Sequence, residues 1–419
     1  MGCLRFLALT VGLLAILLFW LNEPLPPNTA NPAMYKVTAA FITLIEKIAK
    51  LQAWWTDQDV RIIKQNNIEK LALMLSHSDP DVVASEETFA GVKVFVYQPK
   101  TKKSGRPALI YFHGGGFITG HPALRDLLFH KFVKQLDMVV VGVKYRLIPE
   151  VKAPTPQNDC EKAVQHFFKN AEKYGVNPDL VGVAGDSSGG NLAATIPLML
   201  RDQGVNQFLF QLLIYPVVQG LDMQTPSYQR NSPTAVCEMS HEAMSSYIGS
   251  LLGLSPTAFP ELIENKHVKP ETWDKYKKYF ILNEIPNKNI PSNYKPVRPS
   301  KINKALADFV EADLTNPYFF PLLADDLSNL PQAYVLTVEN DPVMDEGVWY
   351  SNRLVKAGNK VVHDHSPDGF HGMISLQDPV LGFDPAYKAA DNMLKFVAEV
   401  LTDVKKAALP KKAKKTERK

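Results

Sequence analysis

An α/β domain with a mostly parallel central sheet and helices on both faces is predicted by three features of the sequence. The first is Gly185-Asp186-Ser187-Ser188-Gly189-Gly190-Asn191, which stands behind the apolar run 180–184 and ahead of a helix-like stretch. Such a strand-to-helix turn is a nucleophile elbow: it lifts the central serine out of the sheet, and the flanking glycines avoid a collision with neighbouring backbone. The second is His113-Gly114-Gly115-Gly116-Phe117, behind its own strand-like run Leu109-Ile110-Tyr111-Phe112. Consecutive glycines after a strand leave bare N–H groups in a loop, as the negative oxygen of a tetrahedral acyl intermediate requires. The third is the C-terminal alternation of a strand over 333–338, a helix over 345–357 closed by Gly358, and a shorter, polar strand over 360–364.

Taken in order, residues 1–24 read as a signal-anchor or transmembrane segment. Their apolar core, 6–21, is longer than the usual signal h-region and lacks a following small-x-small cleavage site. Arg5 before that core places the amino terminus in the cytosol and the rest of the chain in a lumen. Residues 25–90 are expected to supply cap helices, 32–85 being helical in pattern with Trp54 and Trp55 among apolar neighbours. The catalytic core over 91–218 opens with the alternating Val92-Lys93-Val94-Phe95-Val96-Tyr97, an early antiparallel strand. Residues 219–316, rich in Pro, Lys and aromatics, read as a cap insertion, and 317–404 return to the core. The last helix shows Ala386, Ala390, Met393, Leu394, Val397 and Leu401 on one face, and 405–419 form a lysine-rich, solvated tail.

Composition narrows the function. With 419 residues, 46% hydrophobic and 21% charged, the chain can bury a large core, so one α/β domain with a cap is expected rather than two independent folds. A net charge of +3 with no basic face interleaved with aromatics argues against nucleic acid as a partner. There is no H-E-x-x-H and no paired C-x-x-C, so no metal motif is present. Cys160 joins Ala163, Val164, Phe167, Phe168 and Ala171 in a helical stripe and reads as a small core residue. A Cys160–Cys237 bridge is compatible with an oxidising lumen, but nothing local supports it.

Ser187 is the candidate nucleophile, and a serine hydrolase on this architecture places its acid and then its histidine downstream. Asp341 follows the strand 333–338 and lies at the carboxyl edge where sites gather in parallel sheets. Its rivals are Asp345, Asp364 and Asp368; Asp345 and Glu346 fall in a first helical turn, where carboxylates complement the dipole. His371, in the glycine-flanked loop Ser366-Pro367-Asp368-Gly369-Phe370-His371-Gly372, is preferred over His363 and His365, which alternate on the strand itself. The oxyanion hole is assigned to the loop His113, Gly114, Gly115 and Gly116 with Ser188. In it the Gly115, Gly116 and Ser188 N–H groups are the donors and Gly114 shapes the turn.

These motifs resemble the hormone-sensitive lipase branch of α/β-hydrolases, which carries H-G-G-G and G-D-S-[AS]-G-G-N, and within it the arylacetamide deacetylase-like group with its neutral cholesterol ester hydrolase relatives. Tyr145-Arg146-Leu147-Ile148-Pro149-Glu150, Asn177-Pro178-Asp179-Leu180, Tyr215-Pro216, Thr225-Pro226-Ser227-Tyr228, Pro321-Leu322-Leu323-Ala324-Asp325-Asp326 and Asp368-Gly369-Phe370-His371-Gly372 extend the likeness over nearly the whole chain. The chain departs from the group in Asp341-Pro342-Val343-Met344-Asp345, where Asp-x-Leu-Arg-Asp is usual. It also departs at Ile118 and Val338, where cysteines are expected, and in a long stretch over 254–304. The resemblance implies an α/β-hydrolase fold and a Ser187–His371–Asp341 acyl transfer to water without a cofactor. It also implies lipophilic ester or amide substrates, with a cholesteryl ester or acylglycerol lipase as the alternative, and a single-pass type II place in the endoplasmic reticulum membrane. A non-catalytic binder on the same fold typically lacks the acid or the histidine, whereas all three residues are present here; a peptidase is the third reading.

Overall fold

The computed structural model describes residues 25–205, 208–234, 239–379 and 382–408. The anchor expected over 1–24, the tail beyond 408, and Cys3 and Cys237, hence any Cys160–Cys237 bridge, lie outside the described residues. No helix among the described residues is long and apolar enough to cross a membrane.

Among the described residues two helices come first. In α1 (Pro32–Thr56) the Asn31 side chain accepts from the Met34 N–H at 3.1 Å and proline occupies the first turn, where its missing N–H costs nothing. Asp57, at φ 55°, turns the chain into α2 (Val60–Met74), whose cap Asp59 accepts from the Arg61 N–H at 2.8 Å. The helical span is shorter than the sequence suggested. Val82–Phe89 is a strand, β1, so the sheet starts before residue 91, because Ala90 and Gly91, both at positive φ, close a hairpin onto β2 (Val92–Pro99).

The core then alternates as expected: β3 (Arg106–Phe112), α3 (Asp126–Leu136), β4 (Val139–Lys144), α4 (Thr155–Asn170), β5 (Val176–Asp186), α5 (Ser188–Asp202) and β6 (Phe210–Ile214). Among its described residues the insertion carries five α-helices, α6 (Pro226–Asn231), α7 (His241–Leu251), α8 (Phe259–Ile263), α9 (Pro270–Tyr276) and α10 (Lys304–Leu314). Thr225, Ser240 and Asn303 cap α6, α7 and α10 with their side-chain oxygens. The chain returns through β7 (Gln332–Asn340), α11 (Met344–Lys356), β8 (Val361–Phe370) and α12 (Asp384–Ala408). Residues 366–370, read as a loop, prolong β8 until Phe370 pairs with Asn340, and α12 runs past 404 into the lysine-rich tail.

Among the described residues eight strands order as β1-β2-β4-β3-β5-β6-β7-β8, with β2 antiparallel to both its neighbours and the rest parallel. Central strands β4 and β6 are apolar and buried almost throughout, the pattern of parallel strands covered on both faces, whereas edge strands β1 and β8 bury only two residues each. Helices α3 and α12 pack together on the sheet, as do α4 and α5. The carboxyl ends of β3, β5, β7 and β8 thereby converge on one edge, where the glycine loop, Ser187, Asp341 and His371 follow them directly.

Candidate active site

Ser187 occupies the one-residue turn between β5 and α5 at φ 58°, ψ −120°, a backbone conformation that costs a non-glycine residue about 1–3 kcal/mol. Its neighbours hold it there. The Ser187 N–H donates to Ile214 O at 2.9 Å, and its carbonyl accepts from the Asn191 N–H at 3.0 Å. The elbow has no room for side chains at its glycines: a Cβ on Gly185 would lie 2.1 Å from Gly189 O, and one on Gly189 would lie 2.0 Å from Phe112 O.

The structure brings the three distant candidates together. Ser187 Oγ lies 2.8 Å from His371 Nε2, and His371 Nδ1 lies 2.8 Å from Asp341 Oδ2. Asp341 is wholly buried, and its other oxygen accepts from the Val343 N–H at 2.9 Å, so the carboxylate is held at both ends. With Nδ1–H given to Asp341, the Nε2 lone pair faces the serine hydroxyl and can take its proton. Tyr215 lies against the His371 ring, centroids 4.5 Å apart, and limits its tilt.

The rival residues are engaged elsewhere. Asp364 accepts from Tyr334 and Asn392, and Asp368 from Ser366. His363 and His365 both meet Thr337 Oγ1, at 2.9 and 3.0 Å, and His365 also reaches Glu339 at 2.9 Å. Asp345 and Glu346 do lie in the first turn of α11, but they are buried rather than solvated complements of its dipole. Asp345 accepts from the Ser227 N–H at 2.7 Å, joining α11 to the insertion, and burial pushes its carboxyl up to about 6. Glu346 accepts from the Val218 and Gln219 N–H groups at 2.8 Å each, and burial raises it well above the usual carboxylate range.

The glycine loop divides into two parts. Gly114 spends its N–H on Asp186 Oδ1 at 3.2 Å, which fits a shaping role. His113 is buried: its ring bonds the Gly114 carbonyl at 2.9 Å and stacks on Tyr145 at 4.4 Å, so it fixes the loop and does not line the cavity. Burial drives its pKa down to about 3 and keeps it neutral. Gly115 and Gly116, at φ 125° and 64°, line the cavity beside Ser187, and among the described residues no hydrogen bond claims their N–H groups. The Ser188 N–H is likewise uncommitted at the start of α5, while its hydroxyl accepts from the Phe117 N–H at 3.3 Å.

Sequence reasoning missed the group that holds this loop to the elbow. Arg125, buried in the segment after the loop, donates to both oxygens of Asp186, at 3.2 and 2.5 Å, and Tyr111 adds a hydrogen bond at 2.7 Å. Burial would raise the Asp186 carboxyl, but the Arg125 guanidinium outweighs it and keeps the pKa below the usual value. The cavity above Ser187 was equally illegible. It measures about 690 Å³ and is lined mostly by apolar side chains, Val37, Phe41 and Ile45 of α1 and Ile68 and Leu71 of α2 among them, with Met239 and Tyr247 from the insertion. Among the described residues no cluster of His, Cys, Asp or Glu is placed to hold a metal ion.

Comparison with known proteins yields a consistent set. A family model of the alpha/beta hydrolase fold matches residues 109–272 and 284–375. Arylacetamide deacetylase of Oryctolagus cuniculus is 34% identical over 412 residues, 95% of this chain and 100% of that protein. Neutral cholesterol ester hydrolase 1 of Bos taurus is 29% identical, over 94% of this chain and 98% of its own length. Among solved structures, a hyperthermophilic esterase from the archaeon Pyrobaculum calidifontis superposes with a TM-score of 0.62 and 25% identity, covering 90% of this chain and 99% of its own.

Proposed function

Because this chain belongs to the α/β-hydrolase family, and within it groups with arylacetamide deacetylase, we propose that it is a serine esterase acting on carboxylic esters, and on acetamides, of lipophilic compounds. The observation that carries this reading is the continuous path from Ser187 Oγ through His371 to Asp341, with 2.8 Å at each step. In the reaction His371 Nε2 takes the hydroxyl proton as Ser187 Oγ bonds to the ester carbonyl carbon. The negative oxygen that forms is met by the Gly115, Gly116 and Ser188 N–H groups. Asp341 stabilises the imidazolium, which then protonates the departing alcohol as the C–O bond breaks. Water, deprotonated by His371, attacks the acyl-enzyme, and the proton returns to Ser187 as the acid leaves. Every atom in this cycle comes from the chain, the ester and water.

The apolar cavity supports substrates with sizeable hydrocarbon groups on one or both sides of the ester. That same feature favours a second reading, a lipase for cholesteryl esters or acylglycerols, the former in keeping with the name of the bovine relative. For residues 1–24 we keep the signal-anchor, which gives a single-pass type II protein of the endoplasmic reticulum membrane with its catalytic domain in the lumen. The support is the uncharged run 6–21 preceded by Arg5.

A substrate panel on the purified full-length chain tests the proposal. Nitrophenyl acetate, a long-chain nitrophenyl ester, an aryl acetamide, a cholesteryl ester and a peptide amide are compared under one set of conditions. The esters should turn over and the peptide should not; cleavage of the peptide alone would overturn the esterase reading.

A further inference from the structure

Fifteen large apolar side chains stand exposed among the described residues, and ten of them fall between Leu25 and Leu75. Val37, Phe41, Ile48, Leu51 and Trp55 follow one another along α1 at helical spacing and form one exposed stripe. Trp54 and Trp55 touch edge to face and are 77% and 80% exposed; at the far end of the hairpin Leu73, Met74 and Leu75 continue the patch from α2. A soluble surface rarely leaves so much contiguous hydrocarbon in water.

We propose that this face of the α1–α2 hairpin lies in the surface of a lipid bilayer and that ester dissolved in the lipid enters the cavity through it. The proposal rests on the esterase reading of Ser187 and adds the route by which substrate arrives. Three observations select a bilayer over a protein partner or a second copy. Residues 6–21 carry no charge and end four residues before Leu25, so the apolar phase that accommodates them is within reach of the hairpin. Next, the stripe ends in paired tryptophans and is bordered by the exposed Lys47, Lys50 and Lys70, the combination that settles at the headgroup level of membranes. Last, Val37, Phe41, Met74 and Leu75 are at once exposed and part of the cavity lining, so the patch and the chamber above Ser187 form one apolar surface.

The test uses the full-length chain reconstituted in phosphatidylcholine vesicles containing phosphatidylserine. In Trp54→Ser/Trp55→Ser/Leu51→Ser, turnover of a long-chain ester dissolved in the vesicles should fall by about fivefold or more, while kcat/KM for nitrophenyl acetate should be unchanged. In vesicles of acyl-brominated lipid, with Trp20→Phe in place so that the run 6–21 itself carries no tryptophan, fluorescence should be quenched, and most of the quenched share should be missing when Trp54→Phe/Trp55→Phe is added. Equal turnover of the vesicle-dissolved ester together with equal quenching would overturn the proposal, as would a dimer buried on this face, detected as a change of mass on the triple substitution. Quenching is read without turnover. It therefore decides the docking face even for a chain that hydrolyses neither ester, an outcome that would sink the esterase reading instead.

Discussion

Gly116 and Tyr247 touch across the boundary between catalytic core and cap: a methyl group on Gly116 would lie 2.2 Å from the Tyr247 ring. The insertion therefore bears directly on a glycine proposed as an oxyanion donor, so that a movement of α7 would be felt at that loop.

Gly116→Ala should lower kcat by about 10² or more, because the loop must shift to clear the ring and one N–H loses its aim. Adding Tyr247→Ala should restore part of that loss, the residue at φ 64° retaining only its left-handed backbone cost. Gly115→Ala should not be rescued, since its Cβ would lie 2.0 Å from the backbone oxygen of Thr119. Steady-state kinetics on a soluble ester reads all three variants; rescue of both glycine variants by Tyr247→Ala would contradict the assignment.

Asp341→Asn should slow turnover by roughly 10⁴, because the amide would hold His371 in the wrong tautomer. Asp345→Asn should cost far less, as Asp345 contacts Ser227 rather than the histidine. The reverse ranking in kcat would move the acid to Asp345.

The pH dependence of stability should carry the mark of the buried Asp345 carboxyl. Burial pushes the Asp345 carboxyl up to about 6 from the ordinary aspartate value of 3.8, so between these two values the folded state should bind more protons than the unfolded state. Stability contributed by this group is thus present at low pH and lost as pH rises through that window, with a slope of about 1.4 kcal/mol per pH step of one. Asp345→Asn should remove that slope from urea-unfolding midpoints measured across the window. An unchanged slope would mean that Asp345 is not the group responsible.

The Arg125–Asp186 pair should behave in the opposite sense, its Asp186 contribution being held above the normal carboxylate range and lost as pH falls below it. Arg125→Met should destabilise the chain by about 3–5 kcal/mol, since a buried carboxylate is left uncompensated. Arg125→Met/Asp186→Asn should recover part of this, because neither charge then remains. Additive losses in chemical denaturation would show that the two residues are not coupled.

The pattern of what the sequence disclosed follows from range. Ser187, the glycine loop and the strands before them were legible because elbow and loop are local motifs whose glycines answer to backbone clashes a few residues away. Asp341 and His371 were found by chain order and strand ends, which parallel topology ties to one edge. Arg125 carried no such signal: its importance comes from meeting Asp186, sixty-one residues along the chain, where both side chains are buried. The first strand was hidden by helical periodicity upstream and is fixed by the turn at Ala90-Gly91. The polar residues 366–370 looked like a loop because an edge strand need bury only one face. The cavity was out of reach because α1, α2 and the insertion meet over Ser187 only in three dimensions.

Activation of Ser187 by His371 and Asp341 for attack on an acyl carbon can be read by labelling the full-length protein with a fluorophosphonate and mapping the adduct by mass spectrometry. A single adduct on Ser187 is expected, absent in Ser187→Ala and strongly slowed in His371→Ala and Asp341→Asn, with Ser187→Ala/His371→Ala no less active than Ser187→Ala. An adduct on another serine, or wild-type ester turnover by Ser187→Ala, would contradict it.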